Sequence, residues 1–385
     1  MSYIPRSIEA TIRSLLSKYP ILALTGPRQS GKTTLLKNLL PNYSYVSLEN
    51  TDARYFAEAD PNGFLAKYHG QTIIDEAQRV PALFSYLQTK VDAEGKMGQY
   101  ILSGSQNFHL LERITQSLAG RVALCKLLPL DTGELSATGL LSRNWKSSII
   151  QGFYPAIYDR ELNPAIFYSN YVQTYLDRDI SALSNIHDLR LFRNFLGLCA
   201  ARTGQLLNMN NLALECGISQ PTVKSWLSIL ESSYILFLLP PYFENFSKRI
   251  VKTPKLYFYD IGLASFLLGL REQGELDDDP SLASSLFENL VIADILKKNH
   301  HQYLLRDYWF WRDSHGHEID LLTRRGGRLD ISEIKSTQTI LPRFLKGMAY
   351  FSEIAGSKVR SQTLLYGGDD SHDRTGYAVR QWHEG

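Results

Sequence analysis

The clearest chemistry in the chain lies in Gly26-Pro27-Arg28-Gln29-Ser30-Gly31-Lys32-Thr33, which satisfies the pattern G-x-x-x-x-G-K-[ST]. Glycines let backbone N–H groups curl around phosphate oxygens where a β-carbon would obstruct them. A helix opening at Gly31 points its positive end at the same anion. Lys32 can reach β- and γ-phosphates, the Thr33 hydroxyl can ligate magnesium, and Thr34 is the last of the expected nucleotide-binding residues. The expected ligand is a nucleoside triphosphate, ATP with Mg2+. A carboxylate at the end of another strand should complete such a site, and Thr72-Ile73-Ile74-Asp75-Glu76 supplies it. Asp75 is expected to hold the metal through its water shell and Glu76 to polarise an attacking water, so the chemistry is hydrolysis. The same Asp-Glu pair also reads as a helix N-terminus. In Leu102-Ser103-Gly104-Ser105-Gln106, Ser103 and Ser105 can orient that water, or the run is simply a turn. Arg121, after Leu118-Ala119-Gly120, can reach the γ-phosphate of a neighbouring subunit, or is a surface arginine.

Two further constellations lie downstream. His317-Glu318-Ile319-Asp320-Leu321-Leu322 alternates as a strand, Gly326-Gly327 makes a turn, and Leu329 to Lys335 is the partner strand. Alternation puts Glu333 and Lys335 on one face, where Asp320 can meet them. Two carboxylates with an ammonium beside them form a magnesium site, with Asp320 and Glu333 as ligands, that can bind a phosphodiester. An acid-x-lysine strand is also often just an exposed face, and His315 and His317 are either further metal ligands or solvated. In the middle, Asn208 to Glu215 and Gln220 to Ser232 read as two helices around the turn Cys216-Gly217-Ile218-Ser219. This is helix-turn-helix spacing. Val223, Trp226 and Leu227 face inward, while Gln220, Thr222, Lys224 and Ser225 face out, where base edges or phosphates lie in a DNA complex. Tyr234 to Leu239 and Lys255 to Tyr259 can pair as a ribbon whose loop carries Lys248, Arg249, Lys252 and Lys255, a basic wing able to neutralise phosphates. Winged helices also serve as protein-docking modules.

The elements needed to position these groups are visible as periodicity. Short apolar runs at Pro20–Thr25, Tyr43–Leu48, Gln71–Asp75, Gln99–Ser103 and Arg121–Leu127 alternate with helical stretches, as a parallel sheet requires. The fold class is α/β. The expected division is a nucleotide-binding core over 1–130, a helical lid over 131–183, a winged-helix domain over 184–276 and an α/β domain over 281–385, with the acidic stretch Glu275–Pro280 as a linker. A chain of 385 residues exceeds one ordinary core.

Composition sets limits. Net charge is +2, so a nucleic-acid surface is a local patch and not the whole molecule. Three scattered cysteines exclude a disulfide framework and favour a reducing, cytoplasmic home. The most apolar run, Tyr234 to Leu239, stops at Pro240-Pro241, so no membrane span is expected.

Taken together, Thr25 to Thr34, Ile74-Asp75-Glu76-Ala77-Gln78, Ser103-Gly104-Ser105, Ser117 to Arg121, Leu128-Pro129-Leu130, Tyr171 to Asp179 and Phe258 to Leu263 resemble the AAA+ ATPases. The closer resemblance is to a prokaryotic group with a C-terminal domain of poorly defined function. It implies a five-stranded ATPase core, a small helical lid and self-association into a ring, often a hexamer. It also implies Ser103 or Ser105 as first sensor, Arg121 as arginine finger and Arg178 as a candidate second sensor. The last block resembles the PD-(D/E)xK nucleases, with Asp320 as the first acidic position, Glu333-Ile334-Lys335 as the E-x-K element and Glu288 as the helical acidic residue. It departs from them in having Ile319 where a proline is expected. The functions implied are ATP-driven action on DNA, or a nucleotide-dependent switch that binds a protein partner.

Overall fold

The computed structural model describes residues 3–104, 117–180, 186, 188–244 and 251–385, with side chains left aside at 177–180. The described chain forms two compact units: 1–130 with 232–234 and 300–304, and 131–231 with 235–299 and 305–385. The divisions expected at 183 and at 276–281 both fall inside the second unit. The acidic linker is corrected: Gln273–Asp277 is a short helical turn with Leu276 buried, and a helix follows over Pro280–His301.

The first unit is a five-stranded sheet in the order β2-β3-β4-β1-β5. The strands are β1 (Ile21–Thr25), β2 (Ser44–Ser47), β3 (Thr72–Asp75), β4 (Tyr100–Gly104) and β5 (Val122–Lys126), all parallel. A parallel sheet is covered on both faces, so its inner strands are continuous apolar runs. β1 is buried along its whole length. Alternation sends Ile21 and Ala23 to one face, with Ile74, Leu102, Phe64 and Phe84. It sends Leu22 and Leu24 to the other, with Ile73, Ile101, Ile8, Ile12 and Leu35. The loop after β1 leaves the carboxyl edge of this sheet, the edge at which open α/β sheets bind ligands.

In the second unit the middle of the chain forms two consecutive helices and an antiparallel ribbon. Met209–Cys216 is capped by the Asn208 side chain, which accepts from Asn211 N, and Gln220–Ser232 follows. Trp226 packs edge-on against Phe192 and Phe195 of the preceding helix, Leu189–Ala201. β6 (Leu236–Leu239) and β7 (Lys255–Phe258) form the antiparallel ribbon. A six-stranded sheet has the order β12-β13-β11-β10-β9-β8. Its strands are β8 (Tyr308–Arg312), β9 (Glu318–Arg325), β10 (Arg328–Lys335), β11 (Val359–Tyr366), β12 (His372–Arg374) and β13 (Tyr377–Gln381). β9 and β10 pair antiparallel across Gly326-Gly327, and β10 and β11 pair parallel, with helix Lys346–Ala355 between them in the chain. Trp311, Ile319, Leu322, Ile331, Phe351 and Leu364 form its core. Among the described residues no helix is long and apolar enough to cross a membrane.

Candidate functional site

The phosphate loop is shaped by close packing. A β-carbon on Gly26 would sit 2.0 Å from the Leu127 carbonyl oxygen, so only glycine lets the chain leave β1 this near to the exit of β5. Gly31 has φ 90°, and as N-cap of helix Lys32–Leu39 it offers no side chain to cap it. The first-turn N–H groups are therefore left to an anion. Lys32 is buried and its Nζ donates to the carbonyls of Gly26 (2.9 Å) and Pro27 (2.8 Å). Burial pulls its ammonium down to about 8, against the raising influence of Glu76 and Asp75.

The strand tips supply the acidic half. Asp75 and Ser103 are register partners on β3 and β4, and Ser103 Oγ donates to Asp75 Oδ1. Asp75 Oδ2 accepts from Thr33 Oγ1 at 3.1 Å and from Tyr45 OH at 2.8 Å. A hydroxyl and a carboxylate in contact beside the loop are a hard-oxygen donor set that fits magnesium. Thr33 and Asp75 would hold it, and when bound it neutralises phosphate charge. Glu76 follows in the left-handed region, φ 54°, and its carboxylate accepts from Gln78 Nε2. A non-glycine residue held there costs on the order of 1–3 kcal/mol, a strain typical of functional sites. Tyr45 and Gln78 were not among the expected site residues. Tyr45 comes from an edge strand 30 residues upstream of Asp75, and spacing alone gives no hint of it. Gln78, two residues beyond Glu76, stood in the motif but without a role.

Other expected residues are placed less simply. Arg121 lies at the N-terminal end of β5, the opposite end from the loop, and its guanidinium forks onto Asp92 (2.5 and 2.7 Å). It faces away from this chain's own loop, so a finger role requires another subunit. Ser105, Lys248 and Arg249 lie outside the described residues, and so does the side chain of Arg178. Gln220, Lys224 and Lys252 are exposed, and the half-buried Thr222 hydroxyl pairs with Ser219 Oγ at 2.8 Å.

Lys255 is a correction. It is 3% exposed on β7, its Nζ lies 2.9 Å from Glu288 Oε1, and it also pairs with Glu318. It cannot neutralise DNA phosphates. Tyr257 OH donates to the same Glu288 oxygen. Asp320, Glu333 and Lys335 do meet. Lys335 Nζ lies 2.9 Å from Asp320 Oδ2 and 2.7 Å from Glu333 Oε2, and Asp320 Oδ2 also accepts from Ile334 N at 2.8 Å. Lys335 and Lys255 hold Asp320 below the usual carboxylate range against burial, which opposes them. Burial and the Asp320 charge push Glu333 up to about 9. His317 turns away from the cluster, its Nδ1 2.9 Å from Asp313 Oδ2 and its ring stacked on Tyr350, and His315 is exposed.

Comparison with known proteins agrees with this geometry. The model of a family described as "AAA domain" matches residues 18–136. Models described as domains of unknown function match 142–274 (DUF8612) and 283–382 (DUF4143). Uncharacterized proteins of Mycobacterium tuberculosis and Mycobacterium bovis are each 31% identical over 342 residues, which is 87% of this chain and 74% of theirs. Among solved structures, a Walker-type ATPase of Pyrococcus abyssi superposes with TM-score 0.41 at 14% identity, over 67% of this chain and 94% of that one. That is too loose to carry an argument. The parallel sheet, phosphate loop and acidic strand tip define a P-loop ATPase of the AAA class. The chain belongs to the family of these mycobacterial proteins, and its residues 18–136 match an AAA domain.

Proposed function

We propose that this protein hydrolyses ATP to act on DNA, moving or remodelling it, and that its nuclease-like part grips DNA without cutting it. The observation that supports the reading is a pair of helices, Met209–Cys216 and Gln220–Ser232, with the spacing of a helix-turn-helix. Its second helix buries Val223, Trp226 and Leu227 and leaves Gln220 and Lys224 exposed, the division a groove-reading helix needs. The non-cutting part of the reading is supported by the carboxylate cluster. Its cation positions are filled by the chain's own ammonium groups, Lys335 between Asp320 and Glu333, and Lys255 between Glu288 and Glu318. Asp320, Glu333, Glu288 and Lys335 then serve as a neutralised framework, with Asp320 and Glu333 buried. Arg121, directed away from its own loop, would act in trans within a ring, hexameric in the AAA+ manner.

A second reading, a nucleotide-dependent switch that docks a protein, is favoured by two facts. Leu214 on the first helix of the motif is 80% exposed, and Lys255 is withdrawn from the basic wing. Salt dependence separates the two. Lys224→Ala with Lys252→Ala should weaken DNA binding for all sequences and lower the salt slope by about 2. An unchanged slope, or no DNA binding in the intact protein, would favour the docking switch.

A further inference from the structure

Arg6 stands outside every motif, yet it is 5% exposed and its side chain ends behind the phosphate loop. One guanidinium nitrogen donates to the Ser30 carbonyl at 2.9 Å, and the other donates to the Leu128 carbonyl at 2.8 Å. The second also lies 3.5 Å from His301 Nε2, which accepts the Leu128 N–H at 3.2 Å. The backbone of Arg6 is itself held. Its N–H donates to Glu9 Oε1 at 2.9 Å, Tyr3 OH donates to the same oxygen, and Ile4 and Ile8 on either side are buried. The fork therefore ties the phosphate loop to the exit of β5 from a fixed point.

Its effect on the loop follows from peptide geometry. In a planar trans peptide the carbonyl and the next N–H point in opposite directions. Holding the Ser30 carbonyl toward Arg6 aims the Gly31 N–H the other way, into the concave side of the loop. Gly31 has no β-carbon to restrict it and no side-chain cap, so its amide direction is set from outside. On one side the Ser30 N–H to Pro27 carbonyl contact is long at 3.4 Å, and on the other the Leu35 N–H to Gly31 carbonyl bond of 2.8 Å holds the next peptide, so neither bonds the Ser30 carbonyl or the Gly31 N–H itself.

We propose that Arg6 is a positioning residue of the nucleotide site, fixing the Ser30–Gly31 peptide so that the Gly31 amide meets the β-phosphate. The proposal rests on the reading of Gly26–Thr33 as the nucleotide loop. A planar fork is needed, because an ammonium on a flexible stem cannot hold two carbonyls at set angles.

The experiment uses the full chain and a fluorescent N-methylanthraniloyl-ADP probe, with ATP as competitor and circular dichroism and thermal melts alongside. Arg6→Ala should weaken ADP and ATP by the same factor, about 10- to 100-fold. Arg6→Lys should recover little of this, and millimolar guanidinium should restore part of the affinity in Arg6→Ala. Arg13→Ala removes a comparable bond made from the following helix, Glu9–Leu16, to the Leu39 carbonyl at the far end of the loop helix, and should leave affinity unchanged. If Arg6→Ala does not fold, Arg6→Lys carries the test, and wild-type affinity in that variant would overturn the proposal. So would wild-type affinity in a folded Arg6→Ala, or a loss of melting temperature with no change in affinity. Lys32→Ala separates the two levels of the argument: if it too binds normally, the loop reading itself fails and not only the role of Arg6.

Discussion

Replacing Lys255 with methionine keeps most of the side-chain volume and removes the charge. Its ammonium is shared by Glu288 and Glu318, and its side chain is 4% exposed, against 18% and 23% for the two carboxylates. Removing one partner of a buried ion pair leaves an uncompensated charge, at a cost of about 3–5 kcal/mol. Tyr257 still donates to Glu288, which places the expected loss toward the lower half of that range. At roughly 2–4 °C per kcal/mol for a unit of this size, the second unit should melt some 6–15 °C earlier. Adding Glu288→Gln removes one orphaned charge and should return part of the loss, so the double variant should melt above Lys255→Met alone. The assay is a thermal melt followed by tryptophan fluorescence, with DNA binding measured over a salt series on the folded protein. A melt unchanged in Lys255→Met, with the DNA salt slope lowered by about 1, would show an exposed lysine on phosphate and refute the buried-bridge account.

Four other outcomes follow from the same geometry. Glu76→Gln should bind ATP and lose about 10²-fold or more in turnover; normal turnover would remove Glu76 as the base. ATP affinity should fall as pH rises through about 8, because the free Lys32 ammonium is lowered to there and phosphate binding needs it protonated; a flat profile from pH 7 to 9 in calorimetry would contradict this. Neither magnesium nor manganese should support nicking of supercoiled DNA. Glu333, raised from 4.5 to about 9 in the fold, favours its protonated form, so its contribution to stability is full below 4.5 and lost as pH rises through about 9. Glu333→Gln should flatten that decline, and nicking abolished by Lys335→Ala would overturn the non-cutting reading.

What was legible in the sequence was local. The phosphate loop, the strands that flank it and the helix Gln220–Ser232 each depend on neighbours a few residues away, so spacing and periodicity place them nearly to the residue. The alternation of β9 and β10 likewise brought Asp320, Glu333 and Lys335 together. Lys255 was misread because its first carboxylate partner is 33 residues further along, and a lysine beside Lys252 looks like a solvated cluster until that partner is known. Arg6 was invisible for the same reason: its acceptors are 24 and 122 residues away. The acidic stretch from Glu275 suggested solvent, but the Glu275 carboxylate accepts from the N–H groups of Arg271 and Glu272 and caps a turn. In each case the residue type was read against its neighbours in the chain when its partners lay elsewhere in the fold.

The central claim is that ATP hydrolysis at Gly26–Thr33 is coupled to DNA. The direct measurement is the steady-state ATPase rate of the intact protein with no DNA and with single-stranded, duplex and branched DNA, at low and moderate salt. The account expects at least one DNA form to raise turnover several-fold, with the stimulation reduced by salt, reduced in Lys224→Ala with Lys252→Ala, and absent in Glu76→Gln. A rate identical with and without every form of DNA, at salt low enough for phosphate contacts to form, would contradict it and leave the protein-docking switch as the better reading.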